Sequence, residues 1–204
     1  MNLSSNWAID FTEGEELTND GALFNSAHAA LVFAFNSPGS QSRSLMMMMA
    51  SPAVGGGKGL IGLDAAAQAG MIRAEVQALG SPAEAILIAR IAPRWQPCSC
   101  RSACCSGRRG NTEWTNAISV LADRVRTTAL AGCVSNSILR REYVVRYFTP
   151  RDGRGTMDAI AGRNDVNRKT VEAHVGRVAK TLKELESAAQ NAIEDRLMAA
   201  GIVA

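Results

Sequence analysis

Residues 156–181, TMDAIAGRNDVNRKTVEAHVGRVAKT, decide the predicted fold because they encode two helices separated by a short turn. Thr156 and Asn167 belong to the residue types that cap helix N-termini, and Asn164 with Asp165 suits a tight turn between the helices. The side chains expected to face the core recur at helical spacing. They are Met157, Ile160 and Ala161 on the first helix, Val166 after the turn, and Val171, Val175 and Val178 on the second helix.

This pattern resembles the helix-turn-helix superfamily, whose second helix enters the major groove of DNA with its N-terminal end first. The resemblance implies contacts to base edges from the first turns of that helix, through Asn167, Arg168, Lys169, Thr170 and Glu172. It implies phosphate contacts around them, from Arg163, Arg177 and Lys180. An ordinary helical hairpin with a charged surface is the alternative interpretation.

Charge is distributed unevenly along the 204 residues, although the net charge is only +3. Residues 1–60 contain two basic and five acidic residues, a net charge of −3. Residues 108–185 contain fifteen basic and eight acidic residues, a net charge of +7. This excess of positive charge favours a polyanionic partner such as double-stranded DNA, and a solvated basic surface is the alternative.

The composition predicts an all-α fold, a helical bundle with almost no sheet. Aromatic residues make up only 5% of the chain, which favours closely packed small helices over a β-sandwich. Asp64 is expected to cap one helix, which ends at Gly80. The next helix is expected to begin with a capping box formed by Ser81 and Glu84 and to stop at Pro93.

Two further helices are predicted before residue 156. Thr112 is expected to cap a helix that ends at Gly132. The apolar residues of that helix recur at helical spacing and form one expected buried stripe: Trp114, Ile118, Leu121 and Val125. Ser135 or Ser137 is expected to open the following helix, which Pro150 ends.

Residues 1–58 are expected to form a weakly structured N-terminal extension. Two linkers rich in serine, glycine and proline flank the run LMMMM, and AHAALVFAF at residues 27–35 predicts one short helix or strand. Translation from one of the methionines 46–49 would leave residues 1–45 as an upstream extension. The chain therefore divides into this extension, a helical block with a cysteine-rich loop at residues 59–135, and a helix-turn-helix region with a terminal helix at residues 136–204.

Four of the five cysteines lie within eight residues of PCSCRSACCSGRRG, residues 97–110, which is expected to be a loop. They are Cys98, Cys100, Cys104 and Cys105. Structural zinc sites use four thiolate or imidazole ligands, so the cluster predicts a bound zinc ion. Because adjacent cysteines strain the coordination of one ion, three of these thiols with a ligand from elsewhere fit equally well. Reduced structural thiols and redox or disulfide chemistry are the alternatives.

No other set of residues in the sequence predicts a catalytic or metal-binding site. Cys133 is expected to be a buried small apolar residue, and His174 is expected to face solvent or a phosphate. Neither a Ser-His-Asp set nor a pair of carboxylates stands at a spacing typical of catalysis, so we expect no enzyme activity. The chain contains no run of eighteen apolar residues and no basic N-terminal leader, which predicts a cytoplasmic protein without membrane contact.

The order of the sequence features resembles one family of regulators. GLDAAAQAGMIRAEVQALG and APRWQPCSCRSACCSG precede EWTNAISVLA and the C-terminal pattern. Over about residues 59–203 this order resembles the late-gene antitermination (Q-type) DNA-binding regulators of phages and prophages. Some members carry a zinc ribbon with two CxxC pairs, a spacing from which this chain departs.

The resemblance implies a regulator, acting in the bacterial host cytoplasm, that binds DNA near a late promoter and loads onto RNA polymerase with its sigma factor. It then suppresses termination of late genes. The polymerase surface is expected in the helical block at residues 60–131 or in the terminal helix SAAQNAIEDRLMAAGIV. A conventional promoter-bound repressor or activator, and a DNA-processing accessory protein, are the alternatives.

Overall fold

The structure, a computed structural model, describes residues 22–36, 63–98, 100, 105–149 and 156–204. Within these ranges the chain forms seven helices and one two-stranded antiparallel sheet. The elements are α1 Ala27–Asn36, α2 Leu63–Ala78, α3 Ala83–Ile91, β1 Trp95–Pro97, β2 Arg108–Gly110, α4 Thr112–Thr127, α5 Ser137–Phe148, α6 Met157–Asn164 and α7 Arg168–Ala199. The predicted helical character is confirmed, and none of the described helices is long and apolar enough to cross a bilayer.

The core is built around α7, which contacts α1, α2, α3, α5 and α6. Its buried side chains recur every three or four residues, as an amphipathic helix requires, and all but His174 and Glu186 are apolar. The apolar ones are Val171, Val178, Leu182, Ala189, Ile193 and Leu197. α7 has 32 residues and is about 48 Å long. The terminal helix expected after residue 185 is therefore the continuation of the second helix of residues 156–181.

The predicted N-terminal extension contains α1, whose apolar side chains are buried in the same core as the other helices. Six of its ten residues are buried: Ala27, Ala30, Leu31, Phe33, Ala34 and Phe35. Before α1, the N–H of Phe24 donates to the carbonyl of Ile202 over 3.2 Å, next to a parallel bridge between Phe24 and Val203. The short helix or strand predicted from AHAALVFAF is therefore a helix. Its burial in the core differs from the weakly structured extension expected, because this helix is apolar on nearly all sides.

Asparagine caps shift two helix starts from their predicted positions. The side chain of Asn111 accepts a hydrogen bond from the N–H of Glu113 over 3.0 Å, so the cap predicted at Thr112 is wrong by one residue. The side chain of Asn136 accepts from the N–H of Leu139 over 2.7 Å, which replaces the predicted serine caps. α4 ends five residues before Gly132, and turns fill the interval. The predicted apolar stripe of α4, from Trp114 to Val125, is buried as expected.

The starts of α2 and α3 also differ from prediction. Asp64 lies inside the first turn of α2, not before it. Pro82 occupies the N-cap position of α3, and no side chain there makes a capping hydrogen bond. The capping box expected from Ser81 and Glu84 is therefore wrong, and the N–H of Glu84 instead donates to the carbonyl of Gly80 over 2.9 Å.

One polar cluster joins three helices at the edge of this apolar core, where Glu186 is buried and Arg90 reaches solvent. The guanidinium of Arg90 on α3 donates two hydrogen bonds to the carboxylate of Glu186 on α7, over 2.6 Å and 2.7 Å. The hydroxyl of Tyr147 on α5 donates to the same carboxylate over 2.6 Å. The Arg90 guanidinium also lies 5.2 Å from the ring centre of Tyr147 and 5.0 Å from that of Phe148. Glu186 stands in the buried stripe of α7, where apolar residues precede and follow it.

The cluster holds Glu186 in its charged form. Burial alone would raise the pKa of this carboxyl group, but hydrogen bonds from Arg90 and Tyr147 and the positive charge of Arg90 outweigh burial and lower the pKa. Burial and the bond to Glu186 raise the pKa of Tyr147 to about 12, so its hydroxyl keeps the proton that it donates. The three side chains therefore stay complementary at neutral pH.

We expect Glu186→Gln to lower the free energy of unfolding at pH 7 by about 1–2 kcal/mol, because Arg90 and Tyr147 lose a charged acceptor while solvent still reaches the Arg90 side chain. Since the folded-state pKa of Glu186 is lowered, its contribution is complete above the unfolded pKa of about 4.3 and is lost as the pH falls below it. The difference between the wild type and the variant in urea unfolding should therefore shrink below about pH 4.

Asp158→Asn is the matched control, because it removes one partner of an exposed ion pair with Arg168. It should change the free energy of unfolding by less than about 1 kcal/mol. Equal losses in the two variants would contradict a structural role for the cluster around Glu186.

Candidate metal centre and nucleic-acid interface

Two short strands of a β-hairpin, which the sequence did not predict, enclose the cysteine-rich segment. The described cysteines lie between the strands and outside both, as expected for a loop. β1 and β2 pair antiparallel with Trp95 opposite Gly110, Gln96 opposite Arg109, and Pro97 opposite Arg108. Two backbone bonds extend the ladder in both directions, from the N–H of residue 111 to the carbonyl of residue 94 over 3.0 Å and from the N–H of residue 98 to the carbonyl of residue 107 over 2.9 Å. Cysteines beyond the end of the ladder are therefore held next to the two strands.

Three of the four predicted metal ligands come together at the end of this hairpin. The sulfur atoms of Cys98, Cys100 and Cys105 all lie within 4.8 Å of one another, and none of the three forms a disulfide bond. Tetrahedral thiolate ligands at 2.3 Å from zinc stand about 3.8 Å apart, so small side-chain movements would close the site on an ion. No further His, Cys, Asp or Glu of the described ranges joins the group. Cys104, the fourth predicted ligand, lies outside the described residues.

The three thiols influence one another electrostatically. A backbone hydrogen bond from Cys100 lowers the pKa of the Cys98 thiol, but the side chains of Cys100 and Cys105 outweigh it and raise the pKa above the ordinary value. Crowded thiolates repel one another, and a bound cation removes that repulsion. The cluster could therefore hold a metal ion.

A second set of predicted site residues lies where α6 meets α7. The hydroxyl of Thr156 accepts from the N–H of Ala159 over 3.2 Å, and the side chain of Asn167 accepts from the N–H of Lys169 over 2.8 Å. Both predicted caps are confirmed. Asp165 between the helices has a left-handed backbone with φ of 50°, which ends α6 and turns the chain into α7.

The inner face of this segment is packed as predicted, with one correction. Ile160, Val171 and Val178 are buried, and the other predicted inward residues are partly buried against the core. His174 is also buried, at 7% exposure, and its ring packs edge-on against Tyr143 with 5.7 Å between the ring centres. The prediction that His174 faces solvent is wrong. Burial, and then the charge of Arg177, lower its pKa.

The outer face of α7 is positively charged. Lys169, Ala173, Gly176 and Lys180 are exposed, and their spacing places them on one line opposite the buried stripe. Arg168 and Arg177 flank that line on its two sides. The predicted DNA-contacting residues are all exposed: Arg163, Asn167, Arg168, Lys169, Thr170, Glu172, Arg177 and Lys180. Ala173 and Gly176 stand on the same exposed line but are not among the predicted contact residues.

Three of the predicted contact residues have partners within the protein. Arg168 pairs with Asp158 over 3.0 Å, and both side chains are more than half exposed. Arg163 donates to the carboxylate of Glu142 over 3.0 Å, and Arg177 lies 3.4 Å from the sulfur of Cys133. Cys133 is therefore half-buried beside α7 and is not the fully buried residue expected. Ion pairs this exposed contribute little free energy, so a phosphate can replace the carboxylate beside Arg168.

Comparisons with protein-family models, with curated proteins and with solved structures find no match to this chain. Two features of the molecule remain as candidates for its chemistry. One is the group of three thiols at the end of the hairpin, and the other is the positively charged line on α7.

Elemental analysis of protein purified without chelator should find about one metal ion for each chain, with zinc expected from the thiolate ligands. Cys98→Ser, Cys100→Ser and Cys105→Ser should each lower the metal content sharply, because each removes one sulfur from the group. Cys133→Ser is the matched control and should keep the metal, since this cysteine lies outside the group. If the wild-type protein contains no metal, the cysteine cluster is not a metal site.

Proposed function

We propose that this protein is a transcription regulator that binds double-stranded DNA with the first three turns of α7. The positively charged line on α7 is the observation that carries the proposal. Its two lysines lie on the side of the helix that faces away from the core, so a duplex can approach without displacing any packed side chain. A zinc ion held by Cys98, Cys100 and Cys105 completes the proposal and has a structural role.

The dimensions of the line fit a major groove. Lys169 and Lys180 are eleven residues apart, about 16 Å along the helix, which exceeds the groove width of about 12 Å. Both ammonium groups can therefore reach phosphates at the groove edges. Between them stand Ala173 and Gly176, whose small side chains let the helix approach the base pairs closely. A Cβ atom added at Gly176 would meet no atom of the protein within 4 Å, so packing does not require this glycine.

The local electrostatics support the same binding mode. The N-terminus of α7 carries no acidic residue in its first turn and is preceded by Asn167 as its cap. Unpaired N–H groups at a helix N-terminus favour an anion, and Arg168 and Lys169 add two positive charges at that end. Glu172, one turn further, can accept a hydrogen bond from a cytosine amino group.

We further propose that the regulator acts as an antiterminator, which requires a second surface for RNA polymerase. The end of α7 opposite the DNA-binding turns supports this. Arg196 there pairs with Glu75 of α2 over 2.7 Å, and Met71 and Met198 on these two helices are about half exposed. Exposed methionines adapt to partner surfaces. This end combines the two regions that the sequence favours for polymerase contact.

Replacing Lys169 and Lys180 by alanine together should weaken binding to a random-sequence duplex. If each lysine contacts one phosphate, the slope of log affinity against log salt concentration should fall by about 2. Fluorescence anisotropy over a salt series measures this. Arg126→Ala, which removes an exposed arginine from the last turn of α4, is the control and should leave the slope unchanged.

Gly176→Gln separates DNA contact from folding. Glutamine favours a helix more than glycine, so the free energy of unfolding should rise by about 0.5–1 kcal/mol. The variant should bind DNA more weakly, because the longer side chain keeps the helix away from the base pairs. Gly70→Gln makes the same change on an exposed, open position of α2 and should affect stability alone. Unchanged DNA affinity in Gly176→Gln would show that the outer line of α7 is not the contact surface.

In vitro transcription past a terminator tests the antitermination proposal. On a template with the cognate promoter, the wild type should raise readthrough, and the double lysine variant should not, because it no longer binds at the promoter. Lowered initiation without readthrough would instead assign the protein as a repressor. That result would leave the DNA-binding proposal intact.

A further inference from the structure

Trp95 on β1 is an exposed aromatic residue held in a fixed position. Trp95 is 52% exposed. Trp114 nearby is only 7% exposed, and its indole N–H donates a hydrogen bond to the carbonyl of Ala89 over 3.1 Å. The guanidinium of Arg94 lies 5.4 Å from the ring centre of each tryptophan, so it connects the exposed indole to the buried one. The backbone around Trp95 is fixed by the hairpin ladder.

The register of the hairpin defines a face around this indole. Directly paired residues of an antiparallel sheet project to the same side, and successive residues project to opposite sides. Trp95 and Pro97 therefore share one face with Gly110 and Arg108, whereas Gln96 and Arg109 lie on the other. Gly110, directly opposite Trp95, has no side chain to cover the ring, and Arg108 is its diagonal neighbour on that face.

The hairpin lies in a stretch of sequence whose only charged residues are arginines. No acidic residue occurs in the sequence between Glu84 and Glu113, an interval that contains five arginines. Arg108 and Arg109 are exposed, and no ion pair to either is formed among the described residues. An exposed indole with the exposed Arg108 on the same face matches a base with its phosphate, since bases stack on aromatic rings and phosphates pair with arginine.

We propose that the face of the hairpin formed by Trp95 and Arg108 binds single-stranded nucleic acid, with one base stacked on the indole. Duplex DNA is not its ligand, because the faces of paired bases are covered by their neighbours in the stack. This site is separate from the DNA-binding line on α7 and does not depend on it. It would contact a melted DNA strand or an RNA.

Binding of labelled oligothymidylate and oligouridylate, each followed by anisotropy, tests the proposal with the full chain. Trp95→Ala should weaken single-strand binding by about 5-fold to 150-fold, the range for loss of one stacked base. Trp95→Phe should restore much of the affinity but lose the quenching of tryptophan emission that the oligonucleotide causes in the wild type. Val134→Ala, at a residue that is 98% exposed and outside the hairpin, should change neither readout.

The two arginines provide a control within the same hairpin. Arg108→Ala should weaken binding and reduce the salt slope by about 0.7, the value for one phosphate on a single strand, whereas Arg109→Ala on the opposite face should have little effect. Circular dichroism and duplex binding should match the wild type in all variants. Unchanged single-strand affinity in Trp95→Ala would overturn the proposal. If that variant instead lost binding to RNA polymerase, the face would belong to a protein partner.

Discussion

The carboxylate of Glu186 is the point on which the arrangement of the helices depends. It lies near the middle of α7, and the three hydrogen bonds that it accepts come from α3 and α5. A buried carboxylate without partners is costly, so these helices must hold their donors in place whenever α7 is packed. The second half of α7 is thereby fixed against the core, while its first turns present lysines to solvent.

Hydrogen bonds close to this cluster in the sequence attach the hairpin to α3 and α4. Arg90 stands in the last turn of α3, only four residues before Arg94, and the indole of Trp114 bonds the backbone of Ala89 beside it. The side chain of Asn111 also holds the start of the hairpin to α4. It donates to the carbonyl of Pro93 over 2.8 Å and caps α4 at the same time. The three clustered thiols and the exposed indole therefore extend from a hydrogen-bonded base, and the two proposed nucleic-acid surfaces share one framework.

The sequence predicts those elements whose information is local. Caps at Thr156 and Asn167 and the stripe on α4 were correct because each depends on a few neighbouring residues. The hairpin was missed because WQP and RRG have little strand propensity, and their pairing depends on contacts across the cysteine segment. The burial of His174 could have been predicted, since it stands three residues after Val171 and four before Val178. Because histidine is polar, it was not counted among the residues of that buried helical stripe.

The position of Glu186 in a largely apolar stripe also determines how α7 is aligned along α3. Apolar residues recur every three or four positions along α7, so a slide of one turn past α3 would still bury apolar side chains. Such a slide would move Glu186 about 5.4 Å from Arg90 and leave a buried charge without a partner. Apolar side chains of the same volume would stabilise the helix pair as well, but they would tolerate the slide. The ion pair therefore sets where the lysine-bearing turns of α7 lie along α3 and α5.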